Sequence, residues 1–302
     1  MTDAIERVPY DEFSMFHENA EEFGIEFVEP SVRRVSVTMD DGREHSALVW
    51  GEGLPELVLI HGGAQNAHTW DTVALALGRP LVAIDMPGHG HSDRPADGAA
   101  NVPRNAQDVA EMIRVLAPAA RAVVGMSLGG LTTLALSAHA PDLVDKMVLV
   151  DITPGVNHDK AKDIAAFVNG PESFERFDDL LARTIEFNPT RSEASLRRGI
   201  LHNAEQREDG SWVWRHARHR VFEPQQIDRD YGVLWDQLEG HAGPLMLVRG
   251  MRSQSVVDDD DENEVRRRRP DARIEQVDAG HSIQGDQPVL LADLIEDFVF
   301  NH

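Results

Sequence analysis

A serine flanked by glycines is the feature of this sequence with the clearest chemical potential. The five residues GMSLG at 125–129 place Ser127 between Gly125 and Gly129, two residues to either side. The apolar run RAVVG precedes the serine and the pattern LTTLALSAHA follows it, so a strand leads into a helix through a turn with Ser127 at its apex. A Cβ two residues to either side would collide with so sharp a turn, and glycine removes it. The spacing therefore predicts a nucleophilic serine on a strained turn.

The elements that would position this serine alternate between apolar runs and helical patterns. Continuous apolar runs occur at 56–63, 80–86, 121–126, 146–152 and 244–250. Such runs are typical of strands covered on both faces, which indicates a parallel sheet with helices between the strands.

Further elements are predicted toward the two ends of the chain. We expect an acidic helix around 10–23, then an antiparallel strand pair at 32–38 and 45–50, joined near Asp41 and Gly42. The last strand is predicted at 272–280, and a closing helix at 288–300.

The interval from Thr153 to about Asp230 interrupts this alternation. Its charged and aromatic sequence has helical patterns at 171–187 and 192–206, followed by the aromatic segment SWVWRH at 211–216. An insertion between two strands of a parallel sheet lies over the ends where the strands deliver their loops. We therefore predict a mainly helical cap over a substrate pocket.

These patterns divide the chain into three parts. The predicted parts are an N-terminal helical extension at 1–30, an α/β core at 31–152 and 231–302, and a cap at 153–230.

Five motifs, in this order along the chain, resemble those of the α/β-hydrolase superfamily. They are HGG at 61–63, DMPGHGHSD at 85–93, GMSLGG at 125–130, DITP at 151–154 and AGHS at 279–282. The resemblance runs from about residue 32 to residue 300. It implies an α/β fold with an eight-stranded, mostly parallel sheet, helices on both faces, and a cap inserted after the sixth strand. It also implies a serine hydrolase whose catalytic residues occur in the order Ser, acid, His.

A base and an oxyanion hole would complete the chemistry of Ser127. A serine hydroxyl is a poor nucleophile near neutral pH, so it needs a base to take its proton. His281, on a glycine-bearing loop after the last predicted strand, is placed to reach the serine and is the predicted base. The resemblance implies an oxyanion hole made by the amides of Leu128, which follows the nucleophile, and Gly63 of the HGG loop.

The carboxylate partner of His281 is where the sequence departs from the commonest family pattern. Many members place an Asp after the seventh strand in a stretch resembling RGxxSD, but RGMRSQSVVDDDD has Gln254 there. Glutamine cannot carry the negative charge that stabilises an imidazolium. Asp151 ends the sixth strand, 24 residues after the serine, and some relatives with this fold take their acid from that position. We favour Asp151, with Asp258 as the alternative, and Asp259 or a water-mediated arrangement also stays open.

The composition argues against several other classes of protein. With 302 residues and 41% hydrophobic content, the chain can bury a large core. A net charge of −23 repels a phosphate backbone and gives no support to nucleic-acid binding. The chain has no cysteine, which excludes disulfides and thiolate metal sites. Because neither a long apolar run nor a signal peptide is visible, we expect a soluble, cytoplasmic protein without a membrane span.

Neither a cofactor nor a metal is predicted. The phosphate-binding pattern GxxxxGKS and a strand-linked GxGxxG are both missing. His216 and His219 are three residues apart, but no carboxylate pattern near them completes a ligand set. The acidic run at 258–261 and the arginine run at 266–269 are predicted to form one solvated helix oriented as its dipole favours.

The predicted function is a cofactor-independent serine hydrolase acting through an acyl-enzyme on Ser127. The substrate would be a small to medium, partly apolar molecule with an ester, lactone or thioester, or an activated carbon–carbon bond. Two other classes stay open: a lyase or other non-hydrolytic enzyme with the same triad, and a non-catalytic ligand-binding or receptor protein on this fold. Four aromatic residues of the cap are expected to meet the substrate: Trp212, Trp214, Phe167 and Phe174.

Overall fold

An eight-stranded sheet forms the centre of the molecule, whose residues 7–95, 101–216 and 231–301 are described here from a computed structural model. The strands, in chain order, are β1 (Val32–Thr38), β2 (Glu44–Trp50), β3 (Leu57–Ile60), β4 (Leu81–Ile84), β5 (Ala122–Met126), β6 (Met147–Val150), β7 (Ser173–Phe174), β8 (Ala204–Gln206), β9 (Trp212–Trp214), β10 (Leu245–Gly250) and β11 (Arg273–Val277). Strand β2 is antiparallel to β1 and β4, and all the other pairs of the large sheet are parallel. Its order, β1-β2-β4-β3-β5-β6-β10-β11, confirms the predicted eight-stranded, mostly parallel sheet.

Helices cover both faces of this sheet. In chain order they are α1 (Phe16–Phe23), α2 (Asp71–Leu77), α3 (Val102–Leu116), α4 (Leu128–His139), α5 (Lys162–Val168), α6 (Phe177–Phe187), α7 (Glu193–Asn203), α8 (Val233–Gly240), α9 (Asp259–Arg268), α10 (Ile283–Asp286) and α11 (Pro288–Phe300), with 3₁₀ turns at Ala67–Trp70 and Pro141–Leu143. Helices α3, α4, α8 and α9 pack on one face, and α1, α2, α10 and α11 on the other. No helix within the described ranges is both long and apolar enough to cross a membrane.

The short central strands are continuously apolar because each side of the sheet has its own core. Along β3, Val58 and Ile60 pack in one hydrophobic cluster, whereas Leu57 and Leu59 pack in the other. All four side chains are fully buried, as the period-two geometry of a strand covered on both faces requires.

The first strand pair has the predicted antiparallel register. Strands β1 and β2 pair from Val32 opposite Trp50 to Thr38 opposite Glu44. Gly42 occupies the connecting turn with φ 85°, a left-handed conformation that favours glycine. The acidic helix predicted at 10–23 is shorter than expected, because residues 11–14 form a turn and α1 begins only at Phe16.

The segment after β6 contains helices α5, α6 and α7 and a small antiparallel sheet in the order β7-β9-β8. The helix predicted at 171–187 is interrupted, because residues 173–174 pair with the aromatic strand β9 and α6 begins only at Phe177. The helix predicted at 192–206 likewise ends at Asn203, where 204–206 pair with the same strand. Residues 217–230 of the predicted cap lie outside the described residues.

Candidate active site

Ser127 lies on a sharp turn between β5 and α4. Its backbone has φ 51° and ψ −119°, a strained conformation for a residue with a Cβ. A Cβ on Gly125 would lie 2.5 Å from the carbonyl oxygen of Gly129, and one on Gly129 would lie 2.3 Å from that of Ile60. Both contacts are with backbone atoms that cannot rotate away, so glycine is required on both sides of the serine.

Adding a single methyl group at the elbow is expected to destabilise the fold. In Gly129→Ala the new Cβ collides with the end of β3, and we expect the free energy of unfolding to fall by about 3 kcal/mol. Gly199→Ala is the matched control, because Gly199 lies within α7 and a Cβ there meets nothing within 4 Å. That control is expected to gain about 0.5–1 kcal/mol from helix propensity. Urea unfolding measures the free energy of unfolding of both variants. Equal changes in the two variants would contradict the steric explanation.

His281 and Asp151 are joined by a direct hydrogen bond. The Nδ1–H of His281 donates to Oδ2 of Asp151 at 2.8 Å, although the two residues are 130 positions apart. Asp151 follows β6, and His281 lies on the loop between β11 and α10. The carboxylate is fully buried, and the side chain of His281 is 10% exposed. This bond fixes the ring so that Nε2 is free to exchange protons.

The carboxylate of Asp151 is held by three further donors, one from the last residue of β10 and two from the loop that follows it. Its Oδ1 accepts from the amide of Gly250 at 2.8 Å and from the hydroxyl of Ser255 at 2.6 Å, and Oδ2 accepts from the amide of Val256 at 3.1 Å. A buried carboxylate is stable only when its lone pairs are satisfied in this way. Asp151 itself has φ 45°, an uncommon conformation that the surrounding contacts must maintain.

The alternative acids have other partners. Asp258 caps the N-terminus of α9 in a reciprocal capping box with Asp261 and pairs with Lys160 Nζ at 2.8 Å. Asp259 pairs with Arg249 at 2.8 Å, and its side chain is 87% exposed. Helix α9 confirms the prediction of one helix with acids at its start and arginines at its end. The prediction that the helix is solvated is wrong in part, because Asp261 and Arg269 are buried in ion pairs.

The two backbone amides of the predicted oxyanion hole have no hydrogen-bond acceptor within the described residues. Within the described parts of the chain, neither the Gly63 nor the Leu128 amide donates a hydrogen bond. The Leu128 amide is free because it belongs to the first turn of α4. By contrast, the Gly62 amide already donates to Oε1 of Gln65 at 3.0 Å. The amides predicted as oxyanion donors can therefore donate to a ligand, whereas the amide of Gly62 is already used by Gln65.

A cavity of about 220 Å³ lies between the core and the segment after β6. Ser127, His281, Gly63 and Gln254 all line it. The structure thus brings the predicted nucleophile and base to one cavity, with the residue at the commonest acid position on its wall.

The four predicted cap aromatics divide into two pairs. Phe167 and Trp214 line the cavity and contact each other edge to face, with ring centroids 5.8 Å apart. Trp212 packs against Phe177 within the segment after β6, and Phe174 packs on the edge of Trp214. Neither Trp212 nor Phe174 is among the residues that line this cavity.

A buried ionic cluster supports the loop that carries Gly63. His68 lies between two carboxylates, with Nδ1 2.8 Å from Asp71 and Nε2 2.9 Å from Glu12. Arg34 bridges Glu12 to Asp85 and donates to the latter at 2.7 Å. The cluster therefore ties the N-terminal segment, through Glu12, to the loops that follow β3 and β4.

His202 of α7 completes this region. Its ring stacks on that of His68 at a centroid distance of 3.8 Å, and with Asp71 the two form the one set of potential metal ligands found within the described ranges. The hydrogen bonds of His68 to Asp71 and Glu12 account for both of its ring nitrogens. Of the predicted histidine pair, His216 is buried and His219 lies outside the described residues.

The charge of His68 predicts a pH dependence of stability. Burial alone would lower its pKa, but the charge of Asp71 and hydrogen bonds to Asp71 and Glu12 raise it to about 9, from 6.5 in the unfolded chain. The stabilisation is therefore fully present below pH 6.5 and is lost as the pH rises through 9.

Comparison of the wild type with His68→Gln isolates this effect from other titrations. We expect their difference in unfolding free energy to be larger at about pH 6 than at about pH 10, by a few kcal/mol. Urea titrations at both pH values measure it. A difference that does not change with pH would mean that His68 is uncharged in the folded protein.

The fold and this site define the class of the protein. A family profile described as alpha/beta hydrolase fold matches residues 55–288, more than half of the chain. The chain belongs to the α/β-hydrolase fold family, as its motifs predicted.

Two relatives narrow the class. The chain is 42% identical to the esterase Rv0045c of Mycobacterium tuberculosis over 293 residues, 94% of each chain. It is 28% identical to the sn-1-specific diacylglycerol lipase ABHD11 of Mus musculus, over 82% of this chain and 81% of that one. A solved structure of the M. tuberculosis esterase superposes with a TM-score of 0.84 at 41% identity, covering 96% of this chain and 99% of that one. The chain is thus a hydrolase, and these relatives belong to the ester-cleaving class.

Two features of the site were not predicted from the sequence. The donors to Asp151 come from Gly250 at the end of β10 and from Ser255 and Val256 in the loop after it. In the sequence, the only signal from this loop was that it lacks the expected Asp. Arg191 also lines the cavity, yet in the sequence it stands between two helical patterns with no motif around it.

Proposed function

We propose that this protein is a serine carboxylic-ester hydrolase with Ser127 as nucleophile, His281 as base and Asp151 as acid. The observation that carries the proposal is the buried hydrogen bond between Asp151 and His281 at 2.8 Å, beside a cavity that Ser127 also lines. The two free amides of Gly63 and Leu128 support it, because an acyl-transfer site needs donors for a developing oxyanion.

Acylation would begin when the Ser127 hydroxyl oxygen attacks the ester carbonyl carbon while its proton passes to Nε2 of His281. The carbonyl π electrons move to oxygen, and the amides of Gly63 and Leu128 stabilise that negative charge. Asp151 stabilises the imidazolium without taking its proton. The tetrahedral intermediate then collapses, and the alcohol leaves with the proton of His281.

Deacylation repeats the same steps with water as the nucleophile. His281 removes a proton from water as its oxygen attacks the acyl carbon, and the second intermediate releases the free acid. The proton returns from His281 to the oxygen of Ser127, which restores the starting enzyme.

The cavity supports a small, partly apolar substrate. Its volume of about 220 Å³ lies below the usual range of about 300–1,000 Å³ for drug-sized ligands. Because the volume is small, short acyl chains fit better than the long chains of a lipid. Phe167 and Trp214 supply apolar surface for such a chain. The two relatives are an esterase and a lipase, which supports carboxylic esters over other acyl compounds as the substrate class.

Hydrolysis in ¹⁸O-labelled water tests this function. With ethyl esters of increasing acyl length, we expect release of acid and alcohol, one labelled oxygen in the acid, and fastest turnover for short chains. A lyase with the same triad would give no labelled acid. Absence of turnover across ester, lactone and thioester substrates would overturn the proposal.

A further inference from the structure

Arg191 borders the cavity that Ser127 lines, and it also lines a smaller adjoining cavity whose residues Gly285 and Ser195 contact its guanidinium. It lies between α6 and α7 and lines the same cavity as Ser127 and His281. Its guanidinium rests on Gly285 of α10, where an added Cβ would lie 2.9 Å from Cζ of Arg191. Glycine at that position therefore leaves the space that the guanidinium occupies, four residues beyond His281.

The guanidinium of Arg191 has few hydrogen-bond acceptors and no carboxylate partner among the described residues. Within the described ranges no carboxylate oxygen lies within 4.0 Å of it, and the hydrogen bond it makes is from Nη2 to the Ser195 hydroxyl at 2.6 Å. Its Nε–H is buried without an acceptor. An arginine has five N–H donors, so most of this fork is unused. Lys160, which lines the same cavity, is already neutralised by Asp258 at 2.8 Å and Asp261 at 2.7 Å.

The nearby carboxylates do not neutralise the charge of Arg191, because each has other partners. Burial lowers the pKa of Arg191, and the charges of Asp286 and Glu22 offset this only in part. Oδ2 of Asp286 accepts from the amide of Gly280 at 2.8 Å, and Glu22 pairs with Arg198. A guanidinium stays charged at any ordinary pH, and a charge removed from water without a partner is costly. An anion bound in the cavity would remove that cost.

We propose that Arg191 binds a carboxylate carried by the substrate, so that the enzyme prefers esters with a second, anionic end. A carboxylate matches the planar fork of arginine and accepts two parallel hydrogen bonds from it. The apolar wall of Phe167 and Trp214 would contact the carbon chain between the ester and the carboxylate. This inference rests on the proposed ester hydrolysis and names its substrate class.

Two matched pairs of esters test it by pH-stat kinetics. Monoethyl glutarate and ethyl pentanoate differ by a carboxylate or a methyl group at the end of the acyl chain. The acetate ester of γ-hydroxybutyrate and butyl acetate differ in the same way on the alcohol side. In the wild type we expect a higher kcat/KM for the anionic member of one pair, and that pair identifies the side that faces Arg191.

Substitution then assigns the preference to this residue. Arg191→Met is expected to lower the ratio of kcat/KM for the anionic over the neutral ester by about 100-fold, the range of a charged, bidentate contact. Arg191→Lys should restore part of the ratio through its charge. Arg176→Met is the control, because Arg176 is an exposed cap arginine paired only with Asp179 within the described residues, and the ratio should not change.

Several outcomes would overturn the inference. They are a wild type without preference in either pair, an unchanged ratio in Arg191→Met, or equal losses for both esters of a pair, which would indicate a structural role. Inhibition of the wild type by glutarate, competitive with ethyl pentanoate, is a further expected result that requires no variant. Turnover of ethyl pentanoate by the wild type reports the proposed function alone, so its failure is distinguishable from a failure of the carboxylate site.

Discussion

Replacing Ser127 with alanine is expected to lower kcat for ester hydrolysis on the order of 10⁵-fold, while the protein remains folded. The variant loses the atom that attacks the carbonyl, so no acyl-enzyme forms. Any residual rate would come from water acting with His281 and the free amides of Gly63 and Leu128. Steady-state kinetics and the free energy of unfolding should be measured on the same preparation.

Ser253→Ala is the matched control for this variant. Ser253 is a serine that lines the same cavity as Ser127 and His281, but it does not have the positive φ of Ser127 or lie directly before a helix. Its alanine variant is expected to keep most of the wild-type rate. If Ser253→Ala lost activity and Ser127→Ala retained it, the nucleophile would be misassigned.

The second large effect is expected for Asp151→Asn, with a loss in kcat on the order of 10⁴-fold. Asparagine has no charge to stabilise the imidazolium. Its amide nitrogen would also face a shell made of donors, the amides of Gly250 and Val256 and the Ser255 hydroxyl, and one N–H group would point at another. The histidine ring would lose the acceptor that fixes its tautomer.

Asp258→Asn separates this role from a general effect of removing an acidic residue. Asp258 caps α9 and pairs with Lys160, so its loss should cost about 1 kcal/mol of stability and leave kcat close to that of the wild type. Kinetics of both variants with one ethyl ester measure the difference. The assignment of Asp151 is wrong if it is Asp258→Asn that loses several orders of magnitude.

The turn at Ser127 was predictable because its cause is local. Gly125 and Gly129 are required by contacts with backbone atoms close to Ser127, and a sequence pattern records such contacts directly. The sheet was predictable for a similar reason, since a strand buried on both faces must be continuously apolar.

The environment of the proposed acid, Asp151, was harder to predict because it is assembled from distant residues. Asp151 and Gly250 are 99 residues apart and meet only because β6 and β10 are neighbours in the sheet. The loop that carries the acid in many relatives here supplies Ser255 and Val256 as donors instead. Gln254 indicated that the predicted acid lies elsewhere, and Asp151 was favoured from its place at the end of a strand. The donors around Asp151 could be identified only from the strand order.

The segment after β6 was the least predictable part. Its helical pattern at 171–187 conceals the short strand that pairs with the aromatic strand β9, a tertiary contact that overrides local propensity. Trp212 and Trp214 are two residues apart on β9 and therefore lie on the same face of that strand. Their surroundings differ along the strand, because Trp212 packs against Phe177 whereas Trp214 contacts Phe167 and lines the cavity. The sequence around Arg191 contains no motif that singles it out. Its lack of a carboxylate partner among the described residues is visible only in the tertiary structure.

The central claim is that Ser127 is an activated nucleophile, and covalent trapping with a fluorophosphonate tests it most directly. The reagent should add one phosphonyl group per protein, and peptide mapping by mass spectrometry should locate that group on the peptide that contains Ser127. Labelling should be greatly slowed in Asp151→Asn and unaffected in Asp258→Asn. A folded wild-type protein that takes up no label, or that carries it on another residue, would contradict the account.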